Sequence, residues 1–230
     1  MKLMSTLVIL FAILFTFSYP VSSQEKSFEG VIDYEITFPG SNFPPETMSM
    51  LPKNMKMYMT DNFSKTEMVM SMGNQSVIID HQNLKTTALI NVMGQKYAIV
   101  QSREEIEKET GDNQIPTLQL TDETKEIAGY SCKKAIILIK NKEGKETDKL
   151  TVFFTDKIMV KDMYFHQPLF NAIPGLMLEY DMEAQEGLRM KLSALSVEKK
   201  KISKNEFQAP AEYKVTTKDD LMKMFGGGGE

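Results

Sequence analysis

The sequence predicts a mainly β protein whose antiparallel strands form a sandwich, a barrel or one strongly curved sheet. Three observations lead to this fold class. Many short segments alternate apolar and polar residues or are rich in β-branched and aromatic residues. Short polar turns separate these segments, and few stretches of the 230 residues show the period of a helix. The clearest alternation is at residues 28–38, where Ile32, Tyr34 and Ile36 would share one face.

The remaining elements follow in chain order. The same pattern predicts a meander of strands at residues 55–60, 65–72, 76–80, 84–92 and 96–100. A short helix or a loop is expected at residues 45–54 and again in the charged stretch 101–116. Two later strands are expected within residues 125–158 and one after Pro174-Gly175. Residues 187–202 are expected to complete a hairpin with the latter, and an extended piece follows at 207–215.

The N-terminus has the layout of a secretory signal peptide. Lys2 supplies a positive charge, residues 7–17 form a nearly continuous apolar run, and Pro20 breaks this run before a cleavage site. A membrane anchor would need roughly 20 apolar residues, which is more than this run provides. We therefore expect cleavage after Ser23, export to the periplasm or beyond, and no stable membrane span after cleavage.

Three parts of the chain are predicted on this basis. Residues 1–23 are the signal peptide, residues 24–216 a single antiparallel β domain, and residues 217–230 a flexible C-terminal tail. The tail contains one or two helical turns and then four glycines, which have no side chains to pack.

Composition and cysteine content narrow the class of protein. A net charge of −4 gives no electrostatic reason to bind nucleic acid. The single cysteine, Cys132, cannot form a disulfide within the chain, so the core must stabilise the fold unaided. Cys132 lies at the start of a strongly apolar strand and is predicted to be a buried small hydrophobe.

No constellation of catalytic residues is recognisable in the sequence. His81 and His166 lie in separate predicted turns, and each is expected to be a surface turn residue. The sequence has no G-x-S-x-G elbow, no H-E-x-x-H pair, no C-x-x-C pair and no Walker loop. We therefore expect a protein that is not an enzyme and that has neither a cofactor nor a metal centre.

The most unusual segment is "MKMYMTDNFSKTEMVMSM" at residues 55–72, which holds two triplets of methionines at alternate positions. Alternate residues of a strand share one face, so each triplet lines a face. A connecting turn of two or four residues, such as Asp61-Asn62, would place both triplets on the same face, whereas an odd length would oppose them. The even case is favoured. The candidate ligand-binding residues are Met55, Met57, Met59, Met68, Met70 and Met72.

Two interpretations of these methionines compete. Thioethers are soft ligands that suit Cu(I). Soft sites usually add His or Cys, however, and His81 is the only such residue nearby in sequence. Met also fills irregular gaps and is common at promiscuous apolar binding surfaces. The second interpretation is favoured, and it leaves open whether the methionine face is a packed core or the wall of a cavity.

Three segments carry a resemblance to a known family. They are "SVIIDHQNLKTTALINVMGQKYAI" (76–99), "EIAGYSCKKAIILI" (126–139) and "AIPGLMLEY" (172–180). They resemble an uncharacterised family of exported bacterial proteins of the GLPGLI type, with Pro174, Gly175 and Leu176 matching that motif. The family is similar in pattern to lipoprotein carriers of the LolA/LolB kind. This resemblance implies a strongly curved antiparallel sheet or half-open barrel, with a few short helices and an apolar interior that takes acyl chains.

Together these observations predict an exported, non-catalytic protein of the bacterial envelope. Its expected ligand is hydrophobic, such as a lipid or a lipoprotein acyl chain held in an apolar cavity. One alternative is a periplasmic Cu(I)-binding protein that uses the Met-x-Met strands. The other is an envelope interaction or scaffold protein whose core is rich in methionine.

Overall fold

A computed structural model describes residues 28–71, 73–110, 115–141, 143–185 and 188–226. Within these ranges the chain forms one sheet of twelve strands, with three short helices and two 3₁₀ turns. The strands are β1 Gly30–Thr37, β2 Asn54–Met59, β3 Phe63–Met70, β4 Gly73–Asp80, β5 Lys85–Val92, β6 Gln95–Ser102, β7 Ile115–Ile127, β8 Tyr130–Lys140, β9 Glu146–Thr155, β10 Leu176–Gln185, β11 Leu188–Lys199 and β12 Lys214–Thr216. The helices are α1 Pro45–Met50, α2 Arg103–Thr110 and α3 Lys218–Gly226.

The sheet consists of two meanders joined side by side. Strands β1 to β6 pair in chain order, and so do β7 to β11. The two meanders meet where β1 pairs with β11, with Gly30 opposite Lys199. All of these pairings are antiparallel, while β12 adds a short parallel strand at the outer edge of β6. The order β12-β6-β5-β4-β3-β2-β1-β11-β10-β9-β8-β7 therefore leaves β12 and β7 at the two ends of the sheet.

One face of the sheet carries the main core, and we call it the inner face. It is the face on which Ile32, Tyr34, Met55 and Met57 lie, since the β1–β2 register sets them opposite one another. Residues 156–175, which connect β9 to β10, pack onto this face and are called the covering segment. Its buried side chains are Ile158, Val160, Met163, Tyr164, Phe165, Phe170 and Ile173.

The sheet curves strongly around the covering segment. Ile79 of β4 and Tyr180 of β10 are five strand positions apart in the sheet order, which would be roughly 24 Å along a flat sheet. Both side chains nevertheless line one cavity of about 40 Å³ under the covering segment. The prediction of a mainly β protein with one strongly curved antiparallel sheet and a few short helices is confirmed.

A smaller apolar cluster lies on the opposite, outer face of the first meander. Ile78, Leu89 and Ala98 are buried there by Phe207 and Tyr213, which follow β11 in the chain. The ring of Phe207 also stacks on Phe63 at a centroid distance of 5.5 Å. The segment after β11 thus folds back across the outer face before β12 joins the sheet.

Strand β7 was not predicted, although it is the longest strand in the structure. It occupies an end of the sheet and pairs only with β8 among the described strands. Its middle is polar, and Leu120 is 61% exposed.

The predicted loop or helix at residues 45–54 is helix α1 followed by β2, and the charged stretch after β6 contains α2. The predicted signal peptide lies outside the described residues. No helix of the described chain is long and apolar enough to cross a membrane.

Candidate functional site

The hairpin of β2 and β3 sets the positions of the candidate methionines. Thr60 and Phe63 close a two-residue turn at Asp61-Asn62 through a hydrogen bond of 2.8 Å from the Thr60 amide to the Phe63 carbonyl. Met55 consequently lies opposite Met68. The predicted even turn is confirmed, and the described methionines of both triplets share the inner face. Met72 lies outside the described residues.

The two triplets differ in burial. Met55, Met57 and Met59 are 6%, 8% and 0% exposed, and they belong to the main core beneath the covering segment. Met68 and Met70 are only half-buried. The first triplet is therefore packed core in this structure. The second lies on a part of the inner face that is only partly covered by protein.

The inner face of β2 to β6 carries no charge. The register places every Lys, Asp and Glu of these five strands on the outer face. These residues are Lys56, Lys65, Glu67, Asp80, Lys85 and Lys96. Because side chains alternate between faces, a sheet with water on both sides would have no reason to sort its charges in this way.

Half-buried apolar side chains continue the second triplet across β3, β4 and β5. We call this row the inner strip. Its members are Met68, Met70, Val77, Ala88, Ile90 and Val92. The register sets Ala88 opposite Val77, and it sets Met68 and Ile90 on either side of Gln75. Gly73 lies in the same way between Met70 and Val92. The strip is therefore apolar except at Gln75, and it is only partly covered by protein.

Beside the inner strip, the covering segment closes a small cavity of about 40 Å³ against the sheet. Four methionines line it, two from β2, one from the covering segment and one from β10. A histidine and three tyrosines complete much of the wall. These residues are Met55, Met57, Met163, Met177, His166, Tyr34, Tyr164 and Tyr180. Burial raises the pKa of all three tyrosine hydroxyls, so they stay neutral around the cavity.

The two histidines lie on the inside of the fold. His81 is only 7% exposed, and its Nε2 lies 3.1 Å from the hydroxyl of Ser64, which is fully buried. The prediction of a surface turn residue is wrong for His81, because its side chain is buried beside Asp162 of the covering segment although Gln82 and Asn83 of the same turn are exposed. The Nδ1 atom of His166 is also buried and has no hydrogen-bond partner among the described residues. Burial, reinforced by His81, lowers the pKa of His166 to about 3.

Ser64 and His81 are residue types that can act as a nucleophile and a base. In this structure, however, the Ser64 hydroxyl is not accessible to a substrate. Ser64 does not line the cleft of about 390 Å³ beside His81, whose walls include Asp61, Lys161 and Asp162. The Nδ1 atom of His81 has no hydrogen-bond partner of its own within the described structure. A nucleophilic serine needs both an approach for substrate and an oriented base. What the contact does show is that the His81 Nε2 atom satisfies the buried Ser64 hydroxyl.

Comparison with known proteins places the chain in a family. A family profile described as "Domain of unknown function (DUF4412)" matches residues 28–167. The chain belongs to this DUF4412 family. The matched region of the DUF4412 protein contains the first meander, β7 to β9 and the covering segment as far as Gln167. It therefore includes Met163 and His166, while Met177 lies beyond it.

Among solved structures, the DUF4412 protein is similar to a DUF1329 family protein from Desulfovibrio piger ATCC 29098. The two share 11% identity with a TM-score of 0.19, and the alignment covers 81% of this chain and 91% of the other. No curated protein matches the sequence. The predicted membership of an uncharacterised family agrees with these findings, whereas the finer likeness to GLPGLI and LolA/LolB proteins stays a prediction.

Cys132 lies apart from these features. It is fully buried, as predicted, and burial raises the pKa of its thiol to about 11, with Glu126 and Glu179 adding to the effect. The thiol makes a weak hydrogen bond to the Tyr130 carbonyl at 3.5 Å. At neutral pH the thiol is protonated and packed, so the DUF4412 protein uses it as a core residue.

The sequence did not indicate the cavity itself. Met163, His166 and Met177 lie more than ninety positions beyond β2 in the chain. The three-residue spacing of Met163 and His166 was visible, but nothing local indicated that the segment folds onto the methionine strands. The long connection between β9 and β10 was the one available signal, since loops of such length are uncommon unless they have a role.

Proposed function

We propose that this DUF4412 protein is an exported, non-catalytic protein of the bacterial envelope that binds a hydrophobic ligand along the inner strip. The ligand class is a lipid or a lipoprotein acyl chain. The observation that carries the proposal is the charge-free inner face of β2 to β6, on which half-buried apolar side chains of β3, β4 and β5 surround Gln75.

The physical support comes from the energetics of burial. Each buried methylene contributes roughly 0.8 kcal/mol, so several methylenes in contact with the strip would give useful affinity. Methionine side chains suit this role because they adapt to a flexible chain that has no fixed shape. An acyl chain also has no charge, which matches a face from which Lys, Asp and Glu are absent on these five strands.

The two methionine triplets take different parts in this proposal. Met68 and Met70 are accessible and would contact the ligand directly. Met55, Met57 and Met59 form the floor next to the strip, and the covering segment packs against them. A ligand acyl chain longer than the strip would reach these methionines only by displacing the covering segment. The cavity beside Met55 and Met57, of about 40 Å³, is too small for more than one or two methylenes.

A matched pair of variants tests the proposal. Met70 and Val69 are neighbours on β3 and face opposite sides, and Val69 is 74% exposed on the outer face. We expect dansyl-labelled undecanoic acid to bind the protein without residues 1–23 and to be displaced by oleic acid. Met70→Lys should weaken binding at least tenfold, because it places an ammonium group among apolar side chains. Val69→Lys should leave binding unchanged.

Two results would overturn the proposal. The first is a lack of binding by the unmodified protein in both the dye assay and native mass spectrometry after mild extraction. The second is an equal effect of Met70→Lys and Val69→Lys on ligand binding. If a charge weakened binding equally on the inner and the outer face, the strip would not be the site. Thermal unfolding of both variants verifies that each is folded at the assay temperature.

Export is tested separately. Expression of the full chain in a Gram-negative host, followed by fractionation and intact mass measurement, should give a periplasmic protein that begins at Gln24. A cytoplasmic protein that retains residues 1–23 would argue against the envelope part of the proposal, whatever the outcome of the ligand assay.

A further inference from the structure

We propose that the small cavity under the covering segment is a Cu(I) site. Its ligands would be the imidazole of His166 and the thioether sulfurs of the methionines that line the same cavity. Those methionines are Met55, Met57, Met163 and Met177. None of the inner-strip side chains lines this cavity, so the metal site is distinct from the proposed hydrophobic site and does not depend on it.

The donor set fits a soft monovalent ion. Thioethers and imidazole are ligands that Cu(I) accepts, whereas hard divalent ions require carboxylate or carbonyl oxygens. The described residues that line the cavity include no Asp, Glu, Lys or Arg. A divalent ion would keep most of its charge uncompensated in such a site, and burial of uncompensated charge is costly. The chemistry of the wall therefore selects Cu(I) over Zn(II).

The size of the cavity fits one ion. A water molecule needs roughly 10–15 Å³ of such space, so a cavity of about 40 Å³ has room for one ion and at most a few small ligand atoms. An acyl chain would not fit without movement of the covering segment. Met55, Met57 and Met177 on its wall are all less than 9% exposed, while His166 and Gln167 on the same wall are half-buried.

His166 supplies the second, independent observation. Its Nδ1 atom is buried and has no hydrogen-bond partner among the described residues. An unsatisfied buried polar atom costs roughly 1–3 kcal/mol, so such atoms are rare unless a ligand, ion or water completes them.

The arrangement also predicts an effect on stability. Met163 and His166 belong to the covering segment, while Met55 and Met57 belong to β2. An ion bound by both groups would tie the segment to the sheet. Because the unfolded chain does not hold these residues together, Cu(I) should raise the midpoint of thermal unfolding, and the increase should grow with Cu(I) concentration.

The test is an anaerobic Cu(I) titration of the protein without residues 1–23, in competition with the chromophoric chelator bicinchoninate. We expect one equivalent of Cu(I) to bind. Met57→Leu and His166→Leu should each weaken the affinity at least tenfold. Met59→Leu is the matched control, because Met59 is on the same strand and the same face, is fully buried, and does not line the cavity. It should bind as the unmodified protein does.

Further measurements test the Cu(I) site even if one of these variants fails to fold. Met163→Leu removes a sulfur from the covering segment and should also weaken binding. In the unmodified protein, the ε-methyl NMR signals of cavity methionines should shift on addition of Ag(I), while the signal of Met59 should not. X-ray absorption of the Cu(I) form should show sulfur and nitrogen neighbours. Failure to compete with bicinchoninate, equal effects of Met57→Leu and Met59→Leu, or equally tight binding of Zn(II) would each overturn the site.

Discussion

The hydroxyl of Tyr164 accepts a hydrogen bond from the amide of Met177 at 2.9 Å. The same hydroxyl donates to the carbonyl of Gly175 at 3.0 Å. Both contacts are buried, and they attach the middle of the covering segment to its last residue, Gly175, and to Met177 of β10. Tyr34 adds a third contact from the sheet, since its hydroxyl donates to the Met177 carbonyl at 2.8 Å. The start of β10 is thus held from the cover and from β1 together.

Tyr164→Phe should destabilise the protein by about 2 kcal/mol, because it leaves a buried amide and a buried carbonyl without partners. Urea unfolding measures the change. Tyr97→Phe is the control, since the hydroxyl of Tyr97 donates to the side chain of exposed Gln95 at 2.6 Å and water can replace it. If both variants lost the same free energy of unfolding, the burial of the Tyr164 hydrogen bonds would not increase their contribution to stability.

Gly175→Ala should be far more harmful than its size suggests. The residue has φ of +156°, and a Cβ atom there would lie 2.1 Å from the carbonyl oxygen of Thr155. This neighbour is backbone, so it cannot rotate away. We expect a loss of about 3 kcal/mol or failure to fold, in the range of severe backbone effects.

Gly129→Ala is the matched control for this substitution. Gly129 also has a positive φ, of +81°, but nothing lies within 4 Å of its added Cβ. It should cost about 1–2 kcal/mol from backbone strain alone. If urea unfolding gave the same loss for both variants, the close approach of Gly175 to β9 would not be the cause.

Acid should destabilise the protein through its two histidines before the carboxylates titrate. Burial lowers the pKa of both His81 and His166 in the folded state, although Asp80 and Asp162 partly oppose this at His81. The unfolded chain therefore takes up protons first as pH falls below about 6.5. The free energy of unfolding should fall by up to about 1.4 kcal/mol per pH unit for each histidine between pH 6 and 5.

His166→Gln measures the share of one histidine in this acid sensitivity. The slope of unfolding free energy against pH between pH 6 and 5 should drop by up to half. Near pH 8 the histidines of both proteins are neutral in the folded and unfolded states, so they should contribute no pH dependence there. A slope that is unchanged in His166→Gln would show that this side chain gains a proton without unfolding.

Cys132 should resist alkylation in the folded protein. The thiol is fully buried and burial raises its pKa to about 11, so very little thiolate is present at pH 8. Iodoacetamide should label it at least 100-fold more slowly than in 6 M guanidinium chloride, as followed by intact mass. Rapid labelling of the folded protein would mean that β8 opens readily at this residue.

The sequence predicted most of the fold because the strands of the first meander obey simple alternation. Met55, Met57 and Met59 face inward while Lys56 and Tyr58 face outward, as the pattern indicated. Strand β7 escaped prediction because it lies at an end of the sheet, where burial does not impose alternation. The length of the β2–β3 turn could be predicted because Asp and Asn favour tight turns.

The cavity could not be predicted, and the reason is physical. Its wall joins β2 to the covering segment and to the start of β10, and no local rule fixes which connection packs on which face. His81 was assigned to the surface because a polar residue in a turn is usually exposed. Here only the His81 side chain of that turn is buried, beside Asp162, and the Ser64 hydroxyl lies within hydrogen-bond distance of its Nε2 atom.

The junction of β1 with β11 has a consequence for how the chain reaches this structure. Within each meander the strands pair with near neighbours in sequence, so these pairings can form early. The junction brings Gly30 opposite Lys199, and closing so long a loop costs entropy before any contact is gained. We therefore expect two separately nucleated halves and a slow final docking step, during which the unpaired edges of β1 and β11 are open to other chains.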